Sequence, residues 1–225
     1  MKRYFLCLVF IVAAILLIAT DTFAAEWTLK RYNNEWAKVT NGIEKNDTPF
    51  NLTPVGIACT KKYIFVLSVP KTVFNSKEWL FIEANSVEGM QGSIMSMSKN
   101  GYVPFDLDIS GNSVNMLFIK VESKFEAWQM VTSSENVLDF KKKAAAFLKK
   151  GYIPTGVTSL SKGSLSVLML KIKGLGIKAW EIYSGPFDER KITNVINDYY
   201  KNGYVPVGLH IDGNRCAVIF LNFGK

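Results

Sequence analysis

Histidine is almost missing from this chain of 225 residues: His210 is the only one. That count excludes a histidine-ligated metal cluster, and any Ser-His-Asp chemistry would have to use this one ring. Cysteine is scarce as well. Cys7 sits in an apolar leader, no Cys-x-x-Cys spacing occurs, and Cys59 and Cys216 are the remaining two. A cysteine zinc site is therefore excluded, and at most one disulfide, Cys59 with Cys216, stands against two buried free thiols. Acidic residues are outnumbered, 19 against 27 Lys and Arg, for a formal charge of +8. No recognisable cofactor motif is present.

The N-terminus carries a targeting pattern. Lys2 and Arg3 precede the apolar run Phe5 to Ala19, and Thr22-Phe23-Ala24 offers small residues at a cleavage site. This is the layout of a secretory signal peptide over residues 1–24, with the mature chain beginning at Ala25. Removing Lys2, Arg3 and Asp21 leaves +7 on residues 25–225. The expected location is the periplasm or the extracellular space, with no membrane span after cleavage. A basic exported protein suits an anionic envelope component or another exported protein as partner. Its lysines are spread out, with runs at 141–143 and 149–150 flanking one helix stripe, and no specific nucleic-acid site is indicated.

A local pattern recurs along the mature chain. Pro54, Pro104, Pro154 and Pro206 lie 50, 50 and 52 residues apart, and the last three follow Gly101-Tyr102, Gly151-Tyr152 and Gly203-Tyr204. Tryptophan keeps the same phase. Trp79, Trp128 and Trp180 precede those glycines by 22, 23 and 23 residues, and Trp27 stands in the matching place before Asn51. A fixed period of this size indicates a repeat architecture. The units fall at about residues 25–74, 75–124, 125–174 and 175–225 of one domain.

Counting back 4, 7 and 11 residues from each glycine gives Met97, Ile94, Met90, then Phe147, Ala144, Phe140, then Tyr199, Ile196, Ile192. Such spacing predicts an apolar stripe on one helix face. Glycine then serves as the left-handed stop, proline keeps the helix from resuming, and Asp188 is a candidate N-cap. Two apolar runs follow each proline, around turns such as Asp212-Gly213-Asn214, and predict a hairpin. A strand about each tryptophan completes a β-α-β-β unit. The fold class expected is α+β, four tandem repeats of which the first is degenerate. In that first copy the stripe positions are Asp47, Glu44 and Thr40, so Tyr32 to Glu35 reads as a hairpin turn in place of a helix. Unpaired edges at the two ends suggest a ring, with the Trp27 strand pairing the final strand near Phe220.

The order of Trp strand, helix, Gly-Tyr-x-Pro and hairpin resembles the bacterial tandem repeat found in the N-terminal part of polyglycine hydrolases and in other secreted proteins. In those hydrolases the resemblance places catalysis in a separate serine hydrolase domain. Nothing here matches that domain, so the resemblance carries no activity over.

Several segments bear on chemistry. Ser96-Met97-Ser98-Lys99 and Ser159-Leu160-Ser161-Lys162 fit the Ser-x-x-Lys pattern, without the companion motifs of serine acyl enzymes. Asp106 to Asn112 begins like a calcium loop, but Leu117 replaces the twelfth-position glutamate, so a half-exposed strand is expected. His210 stands beside a turn as a surface residue would, its equivalents being Ala58, Asp108 and Thr158. The regular phase of the Trp and Tyr residues favours packing over a row of stacking platforms. The expected function is a non-catalytic binding or envelope-associated module. The alternatives are a secreted hydrolase with an unrecognised Ser/Lys or carboxylate site, and a structural part of an envelope assembly.

Overall fold

The computed structural model describes residues 27–110, 113–134, 137–159 and 164–224. The leader, Gly111-Asn112 and the turn at 161–163 lie outside the described residues. Among the described residues, four three-stranded antiparallel sheets and four α-helices make an α+β fold. The first sheet holds β1 (Thr28–Asn33), β2 (Leu52–Cys59) and β3 (Tyr63–Pro70). The second holds β4 (Ser76–Ala84), β5 (Tyr102–Ser110) and β6 (Ser113–Val121). The third holds β7 (Phe125–Ser134), β8 (Ile153–Thr158) and β9 (Ser164–Ile172). The fourth holds β10 (Ala179–Pro186), β11 (Val205–Asp212) and β12 (Arg215–Asn222). Helices α1 (Trp36–Asn46), α2 (Val87–Lys99), α3 (Val137–Leu148) and α4 (Glu189–Lys201) join the first strand of each sheet to its second.

In every sheet the last strand lies in the middle, between the tryptophan-bearing strand and the one that follows the helix. The expected pairing of the Trp27 strand with the strand near Phe220 is therefore corrected. Leu29 of β1 faces Leu67 of β3, and Phe220 of β12 lies between Glu181 and Pro206. No sheet closes on itself among the described residues. The reason is visible in the middle strands. Ile64–Val69 and Ala217–Leu221 are near-continuous apolar runs, which suit a strand hydrogen-bonded on both edges and covered on both faces. Their burial is almost unbroken.

The helices end as the sequence predicts. Gly101, Gly151 and Gly203 have φ of +80°, +82° and +79°. After α3 the Gly151 N–H donates to Leu148 O at 2.9 Å and the Tyr152 N–H to Phe147 O at 3.1 Å. The Tyr152 ring meets Phe147 edge-on, 5.8 Å between centroids. Tyr204 repeats this on Tyr199. These are Schellman ends with their apolar contact, so the Gly-Tyr pair closes a helix and the half-buried tyrosines act as packing groups. Asp188 caps α4, its Oδ1 accepting from the Lys191 N–H at 2.8 Å. Phe140, Ala144, Ile192 and Ile196 are buried on the stripe.

The first copy departs from expectation. It has a helix, α1, which buries Val39 and Ile43, and Tyr32 to Glu35, expected as a hairpin turn, instead end β1 and lead into that helix. A 3₁₀ turn over Thr48–Phe50 lies between this helix and the left-handed residue, Asn51 at φ 59°. The extra length moves the buried stripe to 8 and 12 residues before Asn51. The helix was hidden by a shift of phase, and its apolar face was intact.

Strands β2, β5, β8 and β11 are the inner edges of the four sheets. β2 packs against β5 and β11, and β8 packs against the same two. Each carries a bulge just after its proline, at Pro54/Gly56, Pro104/Asp106, Pro154/Gly156 and Val207/Leu209. A bulge leaves a residue out of the ladder and redirects its neighbours, and proline is tolerated on an edge that needs no ladder donor. The tryptophans lie half-buried on the outer side and pack against the core.

Candidate functional site

The four bulges aim backbone N–H groups at one point. Asp106 sits there, fully buried. Its Oδ2 accepts from the Ile57 N–H at 2.8 Å and the Leu209 N–H at 3.0 Å. Its Oδ1 accepts from the Leu107 N–H at 2.9 Å and the Val157 N–H at 3.1 Å. One donor thus comes from each inner strand, and the donors sit three residues after Pro54, Pro104, Pro154 and Pro206. The counterparts of Asp106 are Gly56, Gly156 and Gly208. A Cβ on Gly156 would stand 2.6 Å from Asp106 Oδ1, and one on Gly208 2.3 Å from Thr155 O. Burial pushes the Asp106 carboxyl well above the usual carboxylate range, and the N–H bonds from Ile57, Leu209 and Leu107 pull against it. A carboxylic O–H would find only donors around it, so the four bonds favour the anion.

A second polar layer follows two residues on. Asp108 is buried, with Oδ2 accepting from the Cys59 N–H at 2.8 Å and Oδ1 at 3.2 Å from His210 Nδ1. Thr158 Oγ1 accepts from the Ile109 N–H at 3.1 Å. The half-exposed strand expected at Asp106 and Asp108 is corrected, as is the surface setting of His210, which is 8% exposed. Sequence reading missed them because the partners lie across the centre of the molecule, in other sheets. The signal was available: aligning the copies sets one aspartate among three glycines, then Ala58, Asp108, Thr158 and His210 together.

A buried His-Asp pair is a possible general base. The cavity at the His210 ring, lined by Ser159, Ser164 and Ser184, measures about 30 Å³. That is room for a water and not for a substrate. In the first Ser-x-x-Lys, Ser96 and Lys99 are both exposed on α2, and the intervening Ser98 Oγ donates to Ile94 O within the helix at 2.6 Å. Leu160 and residues 161–162 of the second Ser-x-x-Lys lie outside the described residues. Among the described residues no group of three or more His, Cys, Asp or Glu could hold a metal. Among the described residues no helix is long and apolar enough to cross a membrane.

Cys59 and Cys216 are free thiols. Burial, then the Asp108 and Asp106 charges, push the Cys59 thiol up beyond its ordinary range. Burial pushes Cys216 up to about 11, and its Sγ lies 3.8 Å from Pro186 O.

Two larger spaces lie at seams between sheets. One, of about 650 Å³, opens between α1 and β4. Its floor is Trp36, Phe81 and Trp79, with ring centroids 4.9 Å and 5.4 Å apart in that order. Its rim carries Glu44, Glu78 and Glu83 against Lys71 and Lys77. Glu78 is fixed by the Tyr102 O–H at 2.5 Å and by Lys120; those bonds, Tyr102 first, hold its carboxyl below the usual range. The corresponding seam between α3 and β10 is bridged. Lys141 Nζ donates to Glu181 Oε2 at 2.5 Å, and Phe140 packs edge-on to Trp180. Matching the buried pairs Val39/Ile43 and Phe140/Ala144 places Thr40 where α3 has Lys141. Thr40 is too short to bridge, and the α1–β4 seam stays open. The second space, of about 590 Å³, joins the first sheet to the last.

No protein-family model matches this chain, and no curated protein matches it.

Proposed function

We propose that this is an exported, non-catalytic binding module, built of four β-α-β-β repeats of the bacterial tandem-repeat type that close into a ring. Closure would run through packing at the inner edges and not through a shared sheet. Two contacts support it: Trp27 Nε1 donates to Asn197 Oδ1 at 3.2 Å, and Arg31 pairs with Glu189 at 2.6 Å, both linking the start of the chain to α4.

The observation that carries the binding reading is the open α1–β4 groove. Half-buried aromatic faces and a rim of carboxylates and hydroxyls suit a neutral polar chain with apolar faces, such as an envelope glycan strand. The rim, three carboxylates against two lysines, offers a polyanion no net attraction in the groove itself. The basic surface elsewhere would draw the protein to an anionic envelope. The hydrolase alternative has one observation in its favour, the His210–Asp108 pair, and the water-sized space beside it weighs against.

Two measurements test the reading. N-terminal sequencing of the exported protein should begin at Ala25; intact Met1 in a soluble exported fraction would overturn cleavage of the leader. Co-sedimentation with insoluble neutral glycans should show saturable binding, weakened about tenfold or more by Trp36→Ala and by Thr40→Lys, which fills the groove. Binding unchanged in both variants, or none to any glycan, would overturn the groove as the site.

A further inference from the structure

The seam between the first and last sheets holds a cleft of a different kind. Tyr63, Phe65 and Phe187 form its floor, with Phe65 and Phe187 edge-to-face at 5.2 Å. Its size, about 590 Å³, suits a drug-sized molecule. Arg31, Lys61 and Lys62 line it, against Glu189 and Asp212. Arg31 and Glu189 neutralise one another: Nη1 donates to Oε1 at 2.6 Å, and the guanidinium lies 4.7 Å from the Tyr63 ring centre. That leaves two lysines and one aspartate in the lining, Lys61, Lys62 and Asp212. Lys61 and Lys62 are carried on a tight turn, in which the Thr60 N–H donates to Tyr63 O at 2.8 Å. At the back is Cys59, kept as a thiol by burial and by Asp108. A protonated thiol is a poor nucleophile, so the cleft is a place for reversible binding.

We propose that this cleft binds a small planar apolar molecule bearing one carboxylate, its ring against Phe65 and Phe187 and its charge toward Lys61 and Lys62. The aromatic floor supplies burial of apolar area, and the two lysines supply the selection for an anion. Residues from both ends of the chain would hold the ligand, so occupancy would staple the first sheet to the last. The site is separate from the α1–β4 groove, and the two stand or fall independently.

The test is calorimetric titration of the mature protein with 1-naphthoate, with naphthalene-methanol as the neutral analogue. One saturable site is expected, with the neutral analogue about tenfold weaker or more. Lys61→Glu/Lys62→Glu, exposed turn positions whose folding is checked by circular dichroism, should lose a similar factor. Trp36→Ala in the other groove should leave the affinity unchanged. Occupancy should also raise the midpoint of thermal unfolding. No saturable binding, equal affinity for the neutral analogue, or wild-type affinity in the double lysine variant would overturn the proposal.

Discussion

Asp106 has no spare lone pair. Its two oxygens take four N–H groups, two each. Asp106→Asn keeps the shape and replaces one acceptor by an NH₂ that would face two donors. Leaving a buried donor unmet costs about 1–3 kcal/mol, so the substitution should destabilise by on the order of 2–6 kcal/mol in denaturant melts. A neutral result would show that water, and not the carboxylate, satisfies the inner edges. The contrast with Gly151 shows what a sequence discloses. Gly-Tyr closes a helix through contacts within five residues, and its role was plain from spacing. Asp106 works through donors 49, 51 and 103 residues away, and its strand alone read as half-exposed. His210 misled for the same reason, since Asp108 lies 102 residues earlier.

Among the elements, the helices with an uninterrupted count from glycine to stripe were legible, and α1 was not. One 3₁₀ turn changed the count while leaving Val39 and Ile43 in place. The strands were found but their order was not. Nothing in a strand's own sequence names its partner, yet the run of greatest apolar continuity in each copy was already a sign of the middle position. The helix stop gives a prediction at this scale. Gly151 has φ +82°, and a Cβ added to it would meet only the Lys171 Cε, at 3.7 Å. Gly151→Ala would thus meet backbone strain and little steric clash, and should lose about 1 kcal/mol by chemical denaturation. A neutral or stabilising substitution would refute the left-handed stop.

At the scale of the whole molecule the four inner edges share one carboxylate, so the position of the aspartate should be portable. Gly156→Asp alone puts a second side chain 2.6 Å from Asp106 Oδ1 and a second charge in the same buried space. Asp106→Gly alone leaves the donors dry. Combined, they move the aspartate from the second inner strand to the third. The double variant should be more stable than the sum of the single losses by on the order of 1–3 kcal/mol, measured as a double-mutant cycle. Strict additivity would mean that the two positions do not share a centre.

The single central carboxylate also bears on how such a chain could have arisen or be redesigned. Four identical copies cannot build this centre. Aspartate in all four would crowd like charges into one buried space, and glycine in all four would strand the donors without an acceptor. A gene made by exact duplication would therefore begin frustrated, and divergence at this one position would be needed before the copies could settle around each other. A consensus sequence averaged over the copies would restore glycine at position 106 and erase the odd member on which the other three depend.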